Sequence, residues 1–311
     1  MVQPADLAPD LDAPPPPVDE AAWLDLDPPA AEAAAALPLS ARFTLRDRIT
    51  PVQHAFLARN GFLVYDRVAT ADEAAALRDE VDHIQARLLA EGRTRVNGIP
   101  VWFGTDPDGQ PYLQRLAFTS LFSDLYARFV RDPRFEPVRL LIGPDARLGD
   151  REKDGVVLNR YLRTEGSLRP GLGWHTDGLR DVFYNWRMPL PQLNVGLHLD
   201  RIRPEDGGLR LIPGSHRQGL WSLLFRKVYF VSQAPDPDEL AVETWPGDLT
   251  VHDGNAWHRV QASPKTGWDS VRHSVYVPYV TDAYQPKDDD TPTLLYMRVF
   301  DWILRRRSRR R

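Results

Sequence analysis

The sequence predicts an α+β fold with a mainly β core, and two observations carry that expectation. Helix-type patterns fill residues 50–131, and short apolar runs separated by Gly, Pro, Asn and Asp fill residues 156–280. A chain of 311 residues with 42% hydrophobic and 26% charged side chains is soluble-globular in composition and long enough for one sizeable core. No repeat stands out, so a single domain is the simplest organisation.

A helix is expected from Pro51, because Thr50 can cap it and proline suits the first helical position. Asn60-Gly61 ends it, and Phe62 to Tyr65 reads as a short buried strand. Thr70-Ala71-Asp72-Glu73 has the form of a capping box, with Leu77, Val81, Ile84 and Leu88 following at helical spacing until Gly92. Residues 97–118 read as hairpin and loop around the turn Asp106-Pro107-Asp108-Gly109, and residues 119–131 as another helix. Beyond them, Val156 to Leu158, Leu193 to Leu199, Leu209 to Ile212, Leu249 to Val251 and Ser274 to Val277 are strand-length runs, spaced as in a β-sandwich or barrel.

The formal net charge of -4 hides two opposite tails. Residues 1–41 hold eight acidic side chains and no Lys or Arg, with Pro14 to Pro17 in a row. Such a segment is expected to be a disordered, Pro/Ala-rich acidic arm, with Trp23-Leu24 as a docking point. Residues 42–304 form the expected folded domain, and residues 305–311 form a tail with six arginines. The tail suits an anionic partner, but the body has no basic excess to extend it, so a nucleic-acid partner is not expected. No apolar run approaches the roughly 18 residues of a membrane span. The N-terminus lacks a basic segment followed by an apolar one, so a cytoplasmic protein is expected. Oligomeric state is not readable from these features.

The absence of cysteine excludes disulfides, thiol nucleophiles, zinc ribbons and iron–sulfur ligation. Any metal must therefore be held by His, Asp or Glu. His175-Thr176-Asp177 places an imidazole and a carboxylate two residues apart, on one face of an extended segment. His258, in Pro246-Gly247-Asp248 to Trp257-His258, is the best third ligand, with His252 as its rival. Two histidines and one carboxylate on one face of a metal make the facial triad of non-haem Fe(II) oxygenases. Fourteen residues past His258, Arg272 and Ser274 alternate onto one strand face, where a guanidinium and a hydroxyl suit a carboxylate.

With these residues in place, the stretch from about 50 to 280 resembles the phytanoyl-CoA dioxygenase (PhyH) family. The resemblance rests on the opening helix, Asn60-Gly61-Phe62 and the capped helix. It rests further on His175-Thr176-Asp177, Glu205 to Pro213-Gly214-Ser215-His216, Pro246-Gly247-Asp248, His258 and Arg272. It implies a double-stranded β-helix (jelly-roll) buttressed by N-terminal helices. It implies Fe(II) on His175, Asp177 and His258, and 2-oxoglutarate as cosubstrate with its far carboxylate on Arg272, assisted by Ser274. Asn159 and Tyr161 are further candidates for contacts to the cosubstrate. The implied reaction consumes O2, releases succinate and CO2, and hydroxylates an unactivated C–H bond of a small molecule, as in secondary metabolism. Asp177 favours this over halogenation, since related halogenases carry Gly or Ala there.

Of the other histidines, His216 reads as structural in its turn, His54 and His83 as helix-surface residues and His273 as facing away from Arg272, while His198 lies on a strand with either the pocket or the other sheet surface open to it. Phe183, Tyr184, Trp186 and Arg187, directly after the metal motif, are candidate substrate contacts. A second candidate lid spans residues 217–235, with Arg217, Trp221, Arg226, Lys227 and Tyr229. Two rival functions are a non-catalytic sensor that binds metal and 2-oxoglutarate, and a nucleic-acid-modifying oxygenase anchored by the arginine tail.

Overall fold

The computed structural model describes residues 13–179, 189–294 and 297–298. The helix α1 spans Pro28–Ala34, α2 Pro51–Asn60 and α3 Ala71–Ala90. Thr50 and Thr70 each accept a hydrogen bond from the backbone three residues on, and Gln53 and Glu73 complete the two capping boxes. Gly61 ends α2 at φ 80°, a left-handed turn where a Cβ would meet the His216 ring at 2.4 Å. The expected helix at 119–131 is instead a 3-10 turn, Thr119–Leu121, and a separate helix, Asp124–Phe129. The break falls at Ser123, whose side chain accepts from the Tyr126 N–H and so starts a new helix.

Among the described residues, fourteen strands follow in chain order. They are β1 Phe62–Tyr65, β2 Arg95–Val96, β3 Ile99–Pro100, β4 Trp102–Thr105, β5 Pro111–Leu116, β6 Arg147–Leu148 and β7 Val157–Arg163. Then come β8 Leu172–His175, β9 Gln192–His198, β10 Gly208–Leu211, β11 Leu240–Ala241, β12 Leu249–Asp253, β13 His258–Gln261 and β14 Gly267–Val280. The large sheet runs β1-β12-β9-β14-β7-β5-β4, with β6 on β14, and the small sheet runs β11-β10-β13-β8. All these pairings are antiparallel, which gives the expected double-stranded β-helix.

Alternation along the large sheet separates core from site. Leu193, Val195 and Leu197 on β9, Val251 on β12, and Val275, Val277 and Tyr279 on β14 belong to the main core with the buried faces of α2 and α3. On α3 that face is Leu77, Val81, Ile84 and Leu88, each worth about 1.5–3 kcal/mol of burial. The intervening residues, such as Asn159, Tyr161, Asn194 and Tyr276, line a cavity between the sheets.

The arm departs from its expected disorder over residues 13–41. Ala31 and Ala35 are buried in the main core, and Glu20 is buried, accepting from the Thr44 N–H at 2.7 Å and Gln53 Nε2 at 2.6 Å. Alanines at helical spacing need only a small apolar face to dock, and one buried carboxylate finds two donors, so the polar composition is not decisive. The first twelve residues and the arginine tail at 305–311 lie outside the described residues.

Candidate functional site

The site grows from two Trp-His dipeptides. Trp174 ends in the small core under one face of the small sheet, and His175 projects from the other face. Trp257 and His258 repeat the arrangement on β13, where His258 stands opposite His175 in register. Both tryptophans are fully buried and anchored by their indole N–H: Trp174 donates to Ala234 O at 2.9 Å, Trp257 to Gln218 Oε1 at 2.7 Å. The Pro213-Gly214-Ser215-His216 turn completes the anchoring. Ser215 Oγ accepts from the Trp257 N–H at 2.9 Å, directly before His258, while His216 reaches Ala58 O at 3.1 Å.

Donor atoms of His175, Asp177 and His258 all lie within 4.8 Å of one another, and this is the one such group of three among the described residues. His175 Nδ1 pairs with Gly173 O at 2.9 Å and His258 Nδ1 with Ala256 O at 3.0 Å. Each imidazole thus has its Nδ1 proton directed backward and its Nε2 lone pair directed forward. Burial pushes His175 well below the ordinary histidine range, and His258 adds to the push, so the ring stays neutral. Asp177 Oδ2 lies 3.8 Å from His258 Nε2 and accepts from Asn194 Nδ2 at 3.0 Å. The donor set, two imidazoles each tied back through Nδ1 and one carboxylate, fits a divalent iron.

The rival His252 packs against His258, ring centroids 4.5 Å apart and planes tilted by 56°, but is outside the converging group. Both its ring nitrogens are buried without a hydrogen-bond partner, and burial holds it neutral. His198 meets Thr250 Oγ1 at 3.0 Å, and His273 meets Asp200 Oδ2 at 2.9 Å on the far face, while His54 and His83 are exposed.

The triad opens on a cavity of about 450 Å³, whose wall includes Asn159 and Tyr161. Arg272 and Ser274 are in register with Tyr161 and Asn159 but do not themselves form that wall. Arg272 is buried, donating from Nη1 to Gln261 O at 2.9 Å and from Nη2 to Pro170 O at 3.3 Å, with Nε unpartnered. Burial lowers its pKa to about 10, which leaves it charged at neutral pH.

Of the second candidate lid, Tyr229 and Phe230 reach the cavity. Tyr229 OH meets Thr176 Oγ1 at 2.9 Å, and the Phe230 ring lies 4.9 Å from His175. Arg226 and Lys227 are instead engaged with Asp236, and Trp221 is exposed. Phe183, Tyr184, Trp186 and Arg187 lie outside the described residues. Sequence reasoning missed Trp102, Arg115, Arg169 and Asn194, all on the cavity wall. Asn194 was within reach, since it alternates with the apolar residues of β9. The other three carry no local signal.

Asp248 also acquires a different meaning. It is fully buried and accepts from Arg42 Nη2 at 2.5 Å, the Arg67 N–H at 3.0 Å and the Trp245 N–H at 2.7 Å. It ties Arg42 and the chain leaving β1 to the turn before β12, rather than facing the cavity.

These features match known proteins. A family model described as phytanoyl-CoA dioxygenase (PhyH) matches residues 57–266. No curated protein sequence matches the chain. Among solved structures, AviO1 from Streptomyces viridochromogenes Tue57 aligns at TM-score 0.55 and 20% identity, over 78% of this chain and 99% of that one. EctD from S. alaskensis, solved with 2-oxoglutarate and 5-hydroxyectoine, aligns at TM-score 0.56 and 20% identity, over 84% and 88%. HygX from Streptomyces hygroscopicus, solved with nickel and 2-oxoglutarate, aligns at TM-score 0.55 and 20% identity, over 80% and 94%. At this identity the likeness is one of fold. The family match contains His175, Asp177, His258 and the Pro-Gly-Ser-His turn, and ends just before Arg272. With most of its length matched and the triad assembled in space, the chain belongs to the phytanoyl-CoA dioxygenase (PhyH) family.

Proposed function

We propose that this protein is an Fe(II)- and 2-oxoglutarate-dependent dioxygenase that hydroxylates an unactivated C–H bond of a small molecule, releasing succinate and CO2. The observation that carries the reading is the convergence of two imidazoles, each tied back through Nδ1, with one carboxylate at the wall of an internal cavity. Iron with 2-oxoglutarate and O2 supplies the oxidising power, coupled to decarboxylation of the cosubstrate.

The chain's own residues supply geometry and charge. His175 and His258 present Nε2 as nitrogen donors, and Asp177 adds one negative charge while Asn194 fixes the orientation of its carboxylate. Arg272 and Ser274 hold the far carboxylate of 2-oxoglutarate, and the unpartnered Arg272 Nε is the donor left for it. Asn159 and Tyr161 contact the cosubstrate from the wall between. Phe230 and Tyr229 cover the histidine side and exclude water from the reacting centre.

Anaerobic titration with Fe(II) and 2-oxoglutarate tests the reading. A metal-to-ligand charge-transfer band is expected, and its absence overturns the cofactor assignment. A metabolite screen scored by succinate release, with product analysis for an added hydroxyl, then tests the reaction type.

A further inference from the structure

Two guanidiniums line the cavity, Arg115 and Arg169, while Arg272 lies off its wall. Arg169 lies on the cavity wall, is 5% exposed, and has no hydrogen-bond partner at Nε or Nη1. Its guanidinium sits over the Trp102 ring, 4.3 Å from the centroid. Its backbone is held in place: Gln114 Oε1 accepts from the N–H groups of Leu168 at 2.8 Å and Arg169 at 3.1 Å. Gln114 itself is buried on β5. Asp154, the acid that acts on Arg169, is bound by Arg115 at 2.6 Å. Burial, with the nearby Arg115 adding to it, pulls Arg169 down to about 9, yet it remains charged at neutral pH.

A buried cation with unused donors is costly unless a counter-ion meets it. The position narrows which one. Arg272 sits mid-sheet on β14, whereas Trp102 and Arg169 flank the edges, on β4 at the end of the large sheet and just before β8 at the end of the small one. With Arg115 paired to Asp154, two guanidiniums with unspent donors remain around the triad, Arg169 and Arg272, and they suit two separate anionic groups. Resting on the function proposed above, we propose that Arg169, stacked on Trp102, receives a carboxylate or phosphate of the primary substrate. The substrate is then an anionic small molecule whose charge is anchored at the sheet edges while its reacting carbon faces the triad.

The test uses the full chain loaded anaerobically with Fe(II) and 2-oxoglutarate. Benzoate, phenyl phosphate and neutral benzamide serve as probes, read by calorimetry and by shifts of the charge-transfer band. The expected result is that one anion binds at least about tenfold more tightly than benzamide, and that Arg169→Gln removes the preference. Arg169→Lys should keep part of it, and 2-oxoglutarate affinity should be unchanged in both variants. The anion that binds better names the group. Equal binding of anions and benzamide by the wild type overturns the proposal. So does an unaltered preference in Arg169→Gln, or a loss of 2-oxoglutarate affinity there, which would make Arg169 a cosubstrate residue. If Arg169→Gln does not fold, the wild-type and Arg169→Lys comparisons still decide. Failure of the charge-transfer band in the wild type would instead sink the underlying function.

Discussion

The two histidines of the triad and the two guanidiniums near it are held by opposite means. His175 and His258 are each oriented by the carbonyl two residues earlier in their own chain, Gly173 and Ala256, and each is preceded by a buried tryptophan. Arg272 leans on Gln261 and on Pro170, and Arg169 on Trp102, a residue from a different strand far away in sequence. The histidines are set locally and leave one nitrogen free by design of the tautomer. The guanidiniums are set by the assembled fold and leave donors free because the surrounding walls do not saturate them. Locally set groups bind what is fixed, a metal ion. Under the proposed function, tertiary-set groups bind what varies, a ligand's charge.

Four experiments sharpen this contrast, from the largest effect to the smallest. Asp177→Ala should abolish turnover and weaken iron binding by more than about 100-fold, beyond what loss of a supporting residue costs. Metal content after dialysis and succinate yield measure it, and wild-type values would remove Asp177 from the ligand set. Arg272→Gln should weaken 2-oxoglutarate by about 10- to 100-fold, the worth of a charge-assisted hydrogen bond, while sparing metal affinity. Equal losses of metal and cosubstrate would mean that the two walls are not separable. Asn194→Ala removes the hydrogen bond at 3.0 Å to Asp177, and metal affinity should drop about tenfold with the fold intact. Competition against a chromogenic chelator reads this directly.

The smallest effect is linked to pH. Burial lowers His198 from 6.5 to about 4 in the folded protein. Between those values the unfolded chain binds a proton that the folded one does not, so the contribution is full above 6.5 and is lost as pH falls toward 4. Lowering the pH from 6.5 to 5.5 should remove roughly 1 kcal/mol through this residue. Urea melts of wild type and His198→Gln at the two pH values check it, and identical pH slopes would refute the assignment.

Much of the site was legible before folding because its signals are short-range. His175 and Asp177 share a face by strand alternation, and Thr50, Gly61 and Thr70 mark helix ends by local hydrogen bonding. The arm was misread over residues 13–41 because composition measures average polarity. Docking rests on buried Ala31 and Ala35, on Val18, Trp23, Leu26 and Leu37 packed against the core, and on the well-placed Glu20. The helix expected at 119–131 was misread for a related reason: Ser123 competes for a backbone N–H and restarts the helix. Asp248 was useful as a spacing marker, although its partners Arg42 and Arg67 show that it braces the fold.

By itself the sequence determined the β-rich core, the donor types and their order, since the lack of cysteine confines metal binding to His and carboxylate and period-2 alternation pairs them. Only the tertiary structure decided between His258 and His252. Both lie on neighbouring stretches of one chain, and β13 pairing with β8 brings the former opposite His175. Tertiary structure also decided that Arg169 faces the cavity with donors unspent. A guanidinium's availability depends on every neighbour that could satisfy it, and those neighbours come from strands that meet only when both sheets close.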